Sequence, residues 1–243
     1  MKTIKTVLVI LFVSYFINNS YGQMKDKNIL KVTYSGGCIS DFMIGMLKKQ
    51  IQDPVQYSNI LNKMRDYKMH TTYYQNLKTK ESIFVLDSIS EVGGMSTAGY
   101  TYYVLRNKEG NISGKENFMG KNIDYKGNES SIKWVITNEQ KEINGYKCKK
   151  ASLKDNSEVY VWFAPEIAVN GGPSTFFGLQ GLVMESNGIF ESFNALTISY
   201  SSTTEFEKKL DEVTKKVNND KAITLEEVFA KKSNFQQMIQ KGN

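Results

Sequence analysis

Chemistry needs titratable or nucleophilic side chains within reach of one another, and this sequence offers few. It has one histidine, His70, and two cysteines, Cys38 and Cys148. His70 stands in strand-like text between Met69 and Thr71, where a structural imidazole is the plain reading and a catalytic one the sharper. The HExxH, GxSxG and CxxC patterns of zinc proteases, serine nucleophile elbows and zinc sites do not occur, so the sequence points to no metal and no cofactor. No phosphate-cradling glycine motif precedes a helix, which argues against a nucleotide enzyme. Carboxylates remain. Glu166 and Glu185 flank a glycine-rich loop and Asp87 lies in an otherwise apolar run, so a two-carboxylate hydrolase, with Glu185 or Asp87 foremost, is the enzymatic reading. The plainer role for Glu166 and Glu185 is hydrogen bonding to the amides of that loop.

The loop itself is the least ordinary stretch. Trp162 to Asn187 reads WFAPEIAVNGGPSTFFGLQGLVMESN. Its four glycines permit a left-handed backbone and close chain approach, while Phe176, Phe177, Leu179, Leu182 and Val183 carry too much hydrocarbon to stay in water. Two placements satisfy this. The bend is a crossover whose side chains plug one end of the core, or Phe176, Phe177, Gly178, Leu179, Gly181, Leu182 and Val183 form the lip of an apolar ligand site or a docking edge for another envelope protein.

The segment Gly178, Leu179, Gln180, Gly181, Leu182, Val183 resembles the signature of the GLPGLI family, and WVITNEQKEINGYKCKKA, Trp134 to Ala151, is similar to that family's other recognisable block. The chain departs from the pattern at Gln180, where proline is usual, and at Val183, where isoleucine is usual. The first change gives up a fixed φ. The resemblance implies an exported, β-rich domain and no assigned activity.

Met1 to Gly22 carries Lys2 and Lys5, an apolar run from Val7 to Val13, and small polar residues before Gln23. These are the regions of a secretory leader, with cleavage expected between Gly22 and Gln23, leaving 23–243 as a single domain in the periplasm or outside the cell. The apolar part is short of the roughly 20 residues a membrane span needs, and the mature chain contains no other candidate. Loss of Lys2 and Lys5 with the leader would lower the formal charge from +6 to +4, which is mild, and the lysines occur in scattered pairs, Lys231-Lys232 among them, that read as solvated surface. Arg65 and Arg106 are the only arginines, which argues against nucleic acid as a partner. In an oxidising compartment Cys38 and Cys148 are bonded, or two separate buried thiols, or include a reactive cysteine, for which Cys38 with His70 is the only conceivable thiol and base pair. A bond would close a loop of about 110 residues, a constraint rated at somewhat under 5 kcal/mol.

The positioning elements follow from periodicity. Leu30, Val32 and Tyr34 alternate in a first strand. Asp41 to Met64 has apolar residues every three or four positions, giving two short helices broken near Pro54. Strands are expected at 67–76, 82–90, 100–107, 122–126, 132–137, 145–154 and 158–163, with Gly93-Gly94 among the turns. Ile132, Trp134 and Ile136 share one buried face, as do Val159, Val161 and Phe163. Tyr146 and Cys148 are out of phase with Ala151 and Leu153, which calls for a bulge near Lys149 and Lys150. A closing hairpin turns at Asn187-Gly188, Phe206 to Val217 is ambiguous, and Thr224 to Glu227 is a capping box opening a last helix.

The fold class this predicts is mainly β (α+β): one curved antiparallel sheet or half-barrel of about eight to ten strands, with helices packed against it. With 14 Tyr and 13 Phe beside so small a catalytic inventory, the preferred function is a noncatalytic exported binding or carrier protein for an apolar ligand or an envelope partner. The alternatives are the secreted hydrolase and a scaffold at the outer membrane.

Overall fold

The computed structural model describes residues 27–90 and 99–241. The expected leader with its cleavage point, and the Gly93-Gly94 turn, lie outside them.

The first strand takes the centre. In β1 (Ile29–Gly37) Leu30, Val32 and Tyr34 are buried on one face, and the strand pairs antiparallel with β2 (Met69–Asn76) on one side and β11 (Ser192–Ser201) on the other. From β2 the chain meanders through β3 (Ser82–Ile89), β4 (Gly99–Arg106), β5 (Asn111–Phe118) and β6 (Lys121–Asn128). It then crosses to build β7 (Trp134–Ile143), β8 (Tyr146–Leu153), β9 (Asn156–Ala164) and β10 (Leu182–Asn187) against β11. With β12 (Ile223–Thr224) the result is one twelve-stranded sheet in the order β12-β6-β5-β4-β3-β2-β1-β11-β10-β9-β8-β7. It is open and antiparallel, save for the short parallel β12–β6 pair.

Two apolar clusters explain the strand patterns. The larger lies on the face of Leu30, Val32 and Tyr34 and takes in the glycine-rich bend. The smaller lies on the opposite face and joins Ile29, Tyr74, Ile83, Val85 and Tyr103 to Phe206 and Val213. Burial on both faces accounts for the unbroken apolar run Ile83-Phe84-Val85, which alternation alone would not permit.

Helices sit where their caps dictate. The expected pair is α1 (Asp41–Gln50), capped by Ser40 accepting from the Met43 amide, and α2 (Pro54–Asp66), with Asp53 as cap and Pro54 in the first turn. The ambiguous stretch is helical: α3 (Thr203–Thr214), capped by Ser202, covers the smaller cluster with Phe206 and Val213. In α4 (Leu225–Lys241) the capping box forms in both directions, Thr224 N donating to Glu227 Oε2 at 2.7 Å and Glu227 N to Thr224 Oγ1 at 3.2 Å. No helix among the described residues is long and apolar enough to cross a membrane.

Several strand expectations need correction. β5 has no counterpart among the expected strands. Its inward residues are Ile112, Gly114 and Glu116, so hydrophobic alternation is absent although burial alternates. β7 is the last strand in the sheet order, and Ile136 is exposed there rather than buried with Ile132. Cys148 and Ala151 are both buried, as the phase slip requires, but the additional residues lie in β7 between Ile136 and Gln140 and not in β8. The β10–β11 hairpin forms around the four residues Gly188–Glu191, closed by Gly188 N donating to Glu191 O at 2.8 Å.

Candidate functional site

The side chains singled out from the sequence are dispersed. His70 is exposed on β2. Asp87 accepts from Thr72 Oγ1 at 2.6 Å, and Glu166 accepts from the Lys147 amide at 3.1 Å. Glu185 is clasped by Lys141, whose Nζ lies 2.7 Å from Oε2 and 4.4 Å from the centroid of the Trp162 ring. Cys38 and Cys148 are buried free thiols, so the disulfide considered above is not formed. Burial pushes both thiols up, Cys148 to about 11, which keeps them protonated and weak as nucleophiles.

The glycine-rich bend is bound into the core. Phe176, Phe177, Leu179, Leu182 and Val183 are each at most 5% exposed, whereas Gly178 and Gln180 face solvent. Backbone bonds run from Gly181 N to Val169 O and from Val183 N to Gly171 O. Trp134 Nε1 donates to Phe177 O at 2.9 Å, and Tyr34 Oη to Val183 O at 2.8 Å. Gly181 is needed as glycine: its φ is +149°, and a Cβ would come within 2.6 Å of Ala164 O.

Phe176 leads to a cavity of about 330 Å³. Its apolar wall is Phe176, Ile132, Val159, Ile189, Phe190 and Phe229, and its exposed rim includes Lys133, Asp155 and Glu226. Two charged residues of the inner wall come from elements remote in sequence: Glu191, from the β10–β11 turn, and Lys232, from α4. Lys232 Nζ bonds Glu116 Oε2 of β5 at 2.8 Å, with the Glu116 side chain 1% exposed. Glu191 Oε1 accepts from Ser174 Oγ at 2.8 Å. Because that bond uses the Ser174 proton, Thr101 donates to Ser174 at 2.7 Å. Ser174 holds φ at +52°, a conformation that costs a non-glycine residue energy and is retained where neighbours fix it.

The polar cluster is incompletely satisfied. Glu191 Oε2, Glu116 Oε1 and the Tyr125 hydroxyl are buried and accept or donate nothing within the described residues. Tyr125 lies across β5 at Gly114, where a Cβ would overlap its ring. Burial pushes the Glu191 carboxyl up from its ordinary value; Lys232 opposes this, and the Glu116 carboxylate adds to it. For Lys232, burial works against the charge, but Glu116 and Glu191 outweigh it and its pKa is raised. Burial, then Glu116 and Glu191, push the Tyr125 hydroxyl far up. Of these three residues only Glu191 lines the cavity; Glu116 and Tyr125 stand behind it. No group of three or more His, Cys, Asp or Glu among the described residues could hold a metal.

Sequence reasoning misses all three charges. Glu116 sits in the unexpected strand, Glu191 follows Ile189-Phe190 just past the Asn187-Gly188 turn signal, and Lys232 stands in a lysine pair. The one available signal is the period-two series Ile112, Gly114, Glu116, Phe118, set against Asn111, Ser113, Lys115 and Asn117.

An open antiparallel sheet with a helix-roofed, polar-floored cavity defines a β-rich pocket domain. The family model for the N-glycanase peptide, N-terminal domain, matches residues 103–230, more than half of the chain, and the chain belongs to that family. The matched stretch contains Glu116, Glu191 and the glycine-rich bend. Among solved structures, PNGF-II is similar in two crystal forms, at 16% and 15% identity and a TM-score of 0.41, over 72% of this chain. The chain spans only 29% and 28% of those PNGF-II chains. An uncharacterized conserved protein from Thermus thermophilus matches at 6% identity and a TM-score of 0.36, covering 82% of this chain and 91% of that one. No curated protein matches.

Proposed function

We propose that this chain is an exported, noncatalytic binding domain that takes a small, largely apolar ligand into the cavity beneath α4. The observation that carries this is the pairing of an apolar wall with the buried carboxylate of Glu191, a lining residue whose Oε2 has no partner among the described residues. A ligand with one polar end and one apolar body satisfies both at once. The glycine-rich bend, which resembles the GLPGLI signature, serves in this reading as the rigid support that holds Phe176 in the wall. The sheet serves as a half-barrel: α4 reaches Glu116 and Phe118 of β5 and Asn156 and Glu158 of β9, strands that stand third and tenth in the sheet order.

The test uses protein recovered from its native envelope, extracted with organic solvent and examined by mass spectrometry. A small ligand is expected from the parent protein and not from Ala230→Trp, whose indole would fill the mouth from the exposed side of α4. Ligand-free spectra for both would remove the carrier reading.

The family description favours a second reading, in which the domain works in glycan chemistry and Glu116 and Glu191 are the acid and base. Turnover of a glycopeptide that is lost in Glu191→Gln while the fold persists would establish it. Absence of turnover in the parent would leave the binding reading alone.

A further inference from the structure

Building on the binding reading, we propose that the cavity is selective for an organic cation: a primary amine joined to an aromatic or branched aliphatic group. Glu191 is 6% exposed, borders the cavity, and leaves Oε2 without a partner. The neighbouring ammonium is already engaged, since Lys232 bonds Glu116 at 2.8 Å. The lining is acidic in balance: Glu191, Asp155 and Glu226 stand against Lys133 and Lys232, with Glu116 directly behind Lys232. An anionic ligand would add a further negative charge to two carboxylates that share one ammonium. An alcohol would satisfy the free oxygen but leave the excess charge uncompensated. An ammonium does both, by a charge-assisted hydrogen bond in a site that excludes most water. The six apolar wall residues leave room for a body of roughly ten to fifteen non-hydrogen atoms. Phe176 and Phe229 add ring faces against which an aromatic body can pack.

The test is calorimetric titration of the parent protein with 2-phenylethylamine, 2-phenylethanol and 3-phenylpropionate at neutral pH. The amine is expected to bind at least about tenfold more tightly than the other two. Glu191→Gln should reduce the amine to the affinity of the alcohol, and Ala230→Trp should weaken all that bind. Should Glu191→Gln fail to fold by circular dichroism, Glu226→Gln at the exposed mouth carries the charge comparison, with about a twofold loss for the amine and none for the alcohol. If the alcohol or the carboxylate binds as tightly as the amine, or if Glu191→Gln folds and keeps the amine preference, the selectivity is refuted and the binding reading stands. Absence of binding by all three probes would refute both.

Discussion

Two acidic clusters, on opposite faces of the sheet, use the same residue types to different ends. At the smaller apolar cluster Glu205 of α3 has its carboxylate fully engaged. Oε1 receives Lys31 Nζ at 2.8 Å and the Tyr74 hydroxyl at 2.9 Å, and Oε2 receives Ser201 Oγ at 2.6 Å. The Lys31 bond, with help from Ser201, holds its pKa down to about 2. On the other face Glu191 has one donor, a free oxygen, and a pKa pushed up by burial. A carboxylate whose acceptors are all occupied ties strand to helix. One left half-satisfied beside a cavity costs stability and is retained where a ligand uses it.

The comparison breaks most easily at Lys232. Lys232→Met removes the ammonium that bonds Glu116 and acts on Glu191, and leaves the Glu116 side chain, 1% exposed, without that partner. Breaking one side of a buried pair costs about 3–5 kcal/mol, so urea denaturation should show a loss of that order. Adding Glu116→Gln should recover much of it, because the stranded charge is then gone. A loss below about 1 kcal/mol in the single variant would mean that water reaches the cluster freely.

That cluster also marks the limit of what the sequence discloses. The first strand, the break at Pro54, the capping box at Thr224 and the apolar character of the bend are legible, because each depends on neighbours within one turn or one pleat. Ile136 is misplaced by alternation because an edge strand lacks a second neighbour to bury it, and sheet order is a property of the whole chain. Glu116, Glu191 and Lys232 are illegible for a stronger reason. A charged residue is buried only if partners arrive from elsewhere, and here they come from β5, the β10–β11 turn and α4. Composition assigns such residues to solvent, and only their assembly overrides that assignment.

A smaller effect of opposite sign is expected at Glu191. Its folded pKa is raised above the ordinary 4.5, so its contribution is fully present below about pH 4.5 and is lost as pH rises through the folded value. At neutral pH the ionised carboxylate therefore weighs against the fold. Glu191→Gln keeps an acceptor for Ser174 and should stabilise the protein by about 1 kcal/mol at pH 7. The gain should shrink toward pH 4 in denaturation curves measured across the range. A variant less stable than the parent at every pH would show that Glu191 is held as firmly as Glu205.

The smallest effect is predicted at Glu205, despite its larger set of bonds. Its folded pKa lies below 4.5, so its contribution is present above about pH 4.5 and is lost as pH falls toward 2. The side chain is 43% exposed and its Lys31 partner 29%, and solvent screening limits such a pair to about 1 kcal/mol or less. Glu205→Gln should therefore cost under about 1 kcal/mol at pH 7 and nothing near pH 2. The same series in molar salt should reduce the cost further, since the charges are accessible to counter-ions. On a common pH axis the two glutamine variants should diverge in opposite directions from the parent above pH 4.5. If both lose stability together as pH rises, the division between a structural carboxylate and a ligand-ready one fails, and the cavity loses its strongest physical distinction from the rest of the core.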